Sequence, residues 1–88
     1  MIKGTTKQGF RFRIDEATLD DWELVEMLSD MGNDDFLTII PFAKKLLGLA
    51  QYNQLKKFCK DKKTNRVSAT KMQETLFDIF NCSKDLKN

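Results

Sequence analysis

The sequence predicts a mainly α protein: a small bundle of about four helices preceded by an N-terminal β-strand or hairpin. Three observations lead there. Residues Gly9 to Ile14 alternate apolar and basic side chains with period two, the pattern of a strand with one buried face. Three later segments space their apolar residues by three and four, which puts them on one side of a helix, and a fourth, over 36–47, is apolar on nearly all sides. The chain has 88 residues, enough for one domain at most. The expected division is a strand or hairpin over 1–14, helices over 15–82 and a frayed tail over 83–88.

Each element has a local reason. Ile2 to Thr6 is the expected hairpin partner of the strand, with Lys7-Gln8-Gly9 near the turn. A lone hairpin is marginal in water, so its apolar face must pack on the helices or on another sheet. At Leu19-Asp20-Asp21-Trp22-Glu23-Leu24 a helix is expected to begin, with Asp20 as N-cap and Glu23 three residues on as its capping-box partner. Leu19 and Leu24 stand at the staple positions. Leu24, Leu28 and Met31 share a face flanked by Trp22 and Val25, and Gly32-Asn33 supplies the stop. Pro41 lacks an amide hydrogen, so it opens a helix or kinks one. A turn through Phe36 to Ile40 is expected, then helix to Leu47 with Gly48 closing it. A further helix from about Ala50 to Lys60 places Tyr52, Leu55 and Cys59 on one face with Phe58 beside them. Asp61 to Asn65 reads as a charged turn. Ser68 can then cap a helix to about Asn81 that buries Met72, Leu76, Ile79 and Phe80, with Phe77 widening the stripe.

Composition narrows the function classes. There is no His, which removes the commonest general base and metal ligand together with any Ser-His-Asp triad. Cys59 and Cys82 are 23 positions apart without a CxxC pair, so they read as two reduced thiols rather than a zinc set. No window has the oxygen-ligand spacing of an EF-hand, and the four glycines are isolated, so no phosphate-cradling loop is present. No catalytic, cofactor-binding or metal-ligating residues are expected, and enzyme activity is disfavoured. The first residues contain no long apolar run and no stretch approaches a membrane span, so neither a signal peptide nor membrane insertion is expected.

The net charge of +2 conceals a segregation. Nine acids and no base lie between Asp15 and Asp35, whereas nine bases and the single acid Asp61 lie between Lys44 and Lys71. One reading is two solvated faces that attract each other within the fold; others are steering of a charged partner or head-to-tail self-association. Lys56, Lys57, Lys60 and Lys63 are the candidate electrostatic surface. They suggest phosphate contacts and a small nucleic-acid-binding regulator. Nucleic acid is nevertheless disfavoured, because the last helix offers Glu74 and Asp78 where a recognition helix would read bases.

Between the two charged regions lies a surplus of apolar residues. Phe36, Leu37, Ile39, Ile40, Phe42, Leu46, Leu47 and Leu49 are more than one face of a short helix requires, and Phe36, Leu37, Ile40, Phe42, Leu46 and Leu47 are the candidate partner-binding residues. Either this segment is a central helix buried on all sides, or part of it lines a groove for an apolar or amphipathic partner segment.

The order of several short blocks carries a resemblance. Gly9-Phe10-x-Phe12-x-Ile14-Asp15-Glu16, then Leu19-Asp20-Asp21-Trp22-Glu23-Leu24-x-Glu26, Leu46-Leu47-Gly48, Arg66-Val67-Ser68 and Leu76-x-x-Ile79-Phe80 span residues 9 to 80. Together they resemble the small tail assembly chaperones of long-tailed, siphovirus-type phages. The resemblance implies a mostly helical, non-enzymatic protein of the infected bacterial host's cytoplasm. It also implies that the protein coats the hydrophobic tape measure protein and keeps it soluble while tail tube protein assembles around it. Some members of the family also occur in a frameshifted longer form. The basic stretch Lys56 to Lys63 is heavier than the family leads one to expect. A homo-oligomer and a structural component of the virion are alternative expectations that the sequence leaves open.

Overall fold

The computed structural model describes residues 1–32 and 36–87, with side chains described for 1–32 and 37–84. In chain order the elements are β1 (Ile2–Thr5), β2 (Arg11–Ile14), α1 (Glu16–Leu19), α2 (Trp22–Gly32), a 3-10 turn (Phe36–Thr38), α3 (Ile39–Phe58) and α4 (Ala69–Lys87). This is the mainly α bundle with an N-terminal hairpin that the hydropathy pattern predicts.

β1 and β2 pair antiparallel, with Ile2 opposite Ile14 and Gly4 opposite Phe12. The connection is set by Thr6 and Gly9. Gly9 donates its amide to the Thr6 carbonyl at 2.9 Å and sits at φ 98°, the left-handed residue that a three-residue hairpin loop needs. The Thr6 hydroxyl accepts the Phe10 amide at 3.1 Å, which satisfies a buried donor. Alternation then places Ile2, Phe10, Phe12 and Ile14 in the core, while Arg11 and Arg13 face solvent. The hairpin is held to the helices at both edges. Gln51 of α3 accepts the Arg13 amide at 2.7 Å and donates to the Arg13 carbonyl at 2.6 Å, acting on β2 as a short neighbouring strand would. On the other side Asp78 of α4 accepts the Lys7 amide at 2.7 Å.

The acidic segment differs from expectation by one residue. Asp15, not Asp20, starts the first helical turn, its carboxylate accepting the Ala17 amide at 3.0 Å, and Asp20 closes that turn. The cap of α2 is therefore Asp21, whose carboxylate accepts the Glu23 amide at 2.9 Å. The same carboxylate pairs with Lys45 at 3.1 Å and so ties α2 to α3. The Lys45 hydrogen bond holds the Asp21 carboxyl below its ordinary range, and Asp21 raises the Lys45 ammonium in return. Leu24 is buried, Met27, Leu28 and Met31 pack against the core, and Trp22 stands out in solvent at 73% exposure. α2 is helical through Gly32, and the stop expected at Gly32-Asn33 falls at the edge of the described residues, with Asn33 outside them.

α3 is two helices joined at Gly48. Pro41 falls in its first turn, where no intrahelical amide bond is required. At Gly48 the backbone takes φ 78° and ψ 159°, a conformation essentially confined to glycine, and a second helix begins at once. The break expected at Gly48 is thus present, and the helix expected from about Ala50 follows it directly. In a straight helix Ala43 and Tyr52, nine residues or about two and a half turns apart, would lie on opposite sides. The bend brings them to one side.

α4 begins with Ser68, whose hydroxyl accepts the Lys71 amide at 3.2 Å. The helix runs to Lys87, past the end expected near Asn81 and through the start of the expected frayed tail. Ser83 explains the continuation: it is fully buried, and its hydroxyl donates to the Ile79 carbonyl at 2.7 Å, so the polar group is satisfied inside the helix. Phe77 is exposed rather than widening the core stripe. Thr75 takes a buried position on the other flank. The hydrophobic cluster joins the hairpin, α2, both halves of α3 and α4, with Phe42 and Phe80 in edge contact at 5.9 Å between ring centroids.

Candidate protein-binding groove

The apolar residues that the sequence singles out separate into two groups. Phe42 is fully buried, and Leu46 and Leu47 are buried with it, so these three belong to the core and offer no surface to a partner. Leu37 and Ile40 are exposed, at 77% and 47%. The Phe36 backbone opens the 3-10 turn, and its side chain lies outside the described residues. The expectation of a helix buried on every side therefore fails on the Ile40 side, and the larger docking patch shrinks to that side.

Of the two exposed residues, Ile40 borders a concave surface of about 230 Å3, whereas Leu37 does not line it. One wall is the first half of α3, through Ile39, Ile40 and Ala43, and the facing wall is α4, through Ala69, Met72, Gln73 and Leu76. Tyr52 and Lys56, from the second half of α3, close one end together with Val67. The lining is apolar apart from Lys56, Gln73 and the tyrosine hydroxyl. It exists because Gly48 turns the second half of α3 toward the same side as the first.

The groove has a cationic rim. Lys44 and Lys56 each place an ammonium 5.7 Å from the centroid of the Tyr52 ring. Among the described residues neither has a carboxylate within salt-bridge distance, and no acid lines the groove. Of the four lysines proposed as an electrostatic surface, only Lys56 reaches it. Lys57, Lys60 and Lys63 are exposed elsewhere on the last turn of α3 and the connection after it, where Asp61 accepts the Lys63 amide at 2.8 Å. The segregated charge of the sequence therefore produces few direct contacts. Asp21–Lys45 is the one side-chain ion pair among the described residues.

Sequence reading misses most of the groove. Val67, Ala69 and Gln73 carry no signal as groove residues, and Tyr52 and Met72 read as core positions. Ser68 and Lys71 have the Ser-x-x-Lys spacing found in some acyl-transfer enzymes, but the structure occupies both otherwise. Ser68 caps α4, and the Lys71 ammonium lies 4.9 Å from the Phe58 ring centroid. Cys59 is a free, buried thiol pushed up by that burial, partly offset by the Thr75 hydroxyl and by Lys71; Cys82 is half-buried. Among the described residues no cluster of three Cys, Asp or Glu is placed to hold a metal ion, and no helix is long and apolar enough to cross a membrane.

Comparison with protein-family models, curated proteins and solved structures found no match to this chain.

Proposed function

We propose that the protein is a non-catalytic tail assembly chaperone of a long-tailed phage, which binds the tape measure protein and keeps it soluble in the host cytoplasm while the tail tube assembles. The observation that carries this reading is the ordered series of motifs from Gly9 to Phe80, with Leu19-Asp20-Asp21-Trp22-Glu23-Leu24 the most distinctive. The open apolar groove beside Ile40 supports it. A chaperone of this kind acts by reversible masking: apolar surface covers a partner helix, and a charged exterior keeps the complex in solution.

Masking needs an apolar surface that the monomer tolerates in water. The groove meets that need, since its walls are anchored from behind by buried Phe42, Leu46 and Ile79. The partner contact belongs to Ile40 and its neighbours, with the buried candidates Phe42, Leu46 and Leu47 holding the wall in place.

Co-expression tests the reading. The tape measure protein encoded beside this chain is expected to stay soluble and to co-purify with it. With Ile40→Asp the recovered complex should fall sharply while the circular dichroism spectrum of the chaperone is unchanged. A tape measure protein that is neither solubilised nor retained overturns the proposal.

A further inference from the structure

The groove also carries information about the chemistry of its occupant. At about 230 Å3 it lies below the roughly 300–1,000 Å3 of pockets that enclose a small organic ligand. It is open along its length between two helices, a shape suited to one or two apolar side chains of a third helix laid across them. Among the described residues the charges at the groove are Lys56 in its lining and Lys44 beside it; both flank Tyr52, and neither has a carboxylate partner. A partner helix with lysines beside its apolar ridge would meet like charge at the point of closest approach, whereas glutamates would find two unpaired ammonium groups.

We propose that the groove between α3 and α4 receives an amphipathic helix of a partner protein whose apolar ridge is flanked by carboxylates, with Ile40, Val67 and Met72 contacting the ridge and Lys44 and Lys56 selecting the acidic flank. This deepens the chaperone reading and rests on it for the existence of a helical partner. It adds the charge of the segment bound. Among the described residues no acid lines the groove, so no carboxylate there rewards a basic helix and the selection is one-sided.

Two dye-labelled synthetic peptides test this. Both carry the same leucine ridge at helical spacing; one has glutamates beside it and the other lysines. Fluorescence anisotropy with the full chain is expected to show the glutamate peptide binding about tenfold more tightly at low salt, with the gap narrowing as salt screens the rim. The double variant Lys44→Glu, Lys56→Glu should reverse the order of the two peptides. Equal affinities for the unaltered chain, or binding by neither peptide, overturn the proposal without recourse to any variant. A stable dimer of the unaltered chain that Lys56→Glu dissociates also overturns it, since a second copy would then fill the groove. The two readings fail separately. Tape measure solubilisation with no peptide charge preference removes the acidic-helix assignment and leaves the chaperone. A clear charge preference with no tape measure binding does the reverse.

Discussion

The two sides of the segment Ile39–Leu47 begin with the same kind of residue and end with different environments. On one side Phe42, Leu46 and Leu47 are enclosed by the hairpin, the rest of α3 and α4. On the other, Ile39 and Ile40 border water and the groove. The difference teaches that an apolar surplus in a small chain need not serve one purpose. Most of it builds the core that an 88-residue chain can barely afford to lack, and the residue of it forms a surface.

Substitution at the enclosed side should have the largest effect. Phe42→Ala removes a fully buried ring that touches Phe80 and should destabilise the fold by about 3–5 kcal/mol, read as a lower urea midpoint. A small loss would mean that Phe42 is not the interior residue the comparison requires. Next comes the joint between the two halves of α3. At Gly48 an added Cβ meets no atom within 4 Å, so Gly48→Ala isolates the backbone cost, about 1–3 kcal/mol for a conformation that L-residues avoid. Thermal denaturation measures the loss. A neutral result would indicate that α3 can straighten, which would separate Ala43 from Tyr52 and dissolve the groove. The smallest effect is expected on the open side, where Ile40→Ser should change stability by less than about 0.5 kcal/mol in the same urea titration. A cost comparable to that of Phe42→Ala would show the two sides to be equally buried and would end the distinction.

Much of the fold can be read from local pattern because the forces behind it are local. Period-two alternation marks Phe10, Phe12 and Ile14 as the buried face, and Gly9 marks the turn. Ser68 marks the start of α4, and Gly48 marks a break. The errors are equally instructive. The capping-box spacing to Glu23 favours Asp20, yet the cap is Asp21 because Asp15 had already started a separate turn that Asp20 ends. Ser83 looked like a tail residue because a hydroxyl reads as polar, yet its bond to the Ile79 carbonyl lets it be buried in the helix. Trp22 and Phe77 are large and apolar but exposed, since helix position alone does not say whether another element will cover a flank.

The candidate site was less legible than the fold. Ile40 and Lys56 stood out for their residue types, but their membership in one groove depends on chain segments far apart in sequence. By itself the sequence determined the kinds of element, their order, the exclusion of histidine chemistry and the existence of an apolar block between acidic and basic regions. Those follow from residue type and spacing along the chain. Tertiary structure alone decided which side of that block is sealed and which lysine borders the open side. Both depend on the bend at Gly48 and the position of α4 against it, and burial is a property of what packs on a residue as much as of the residue itself.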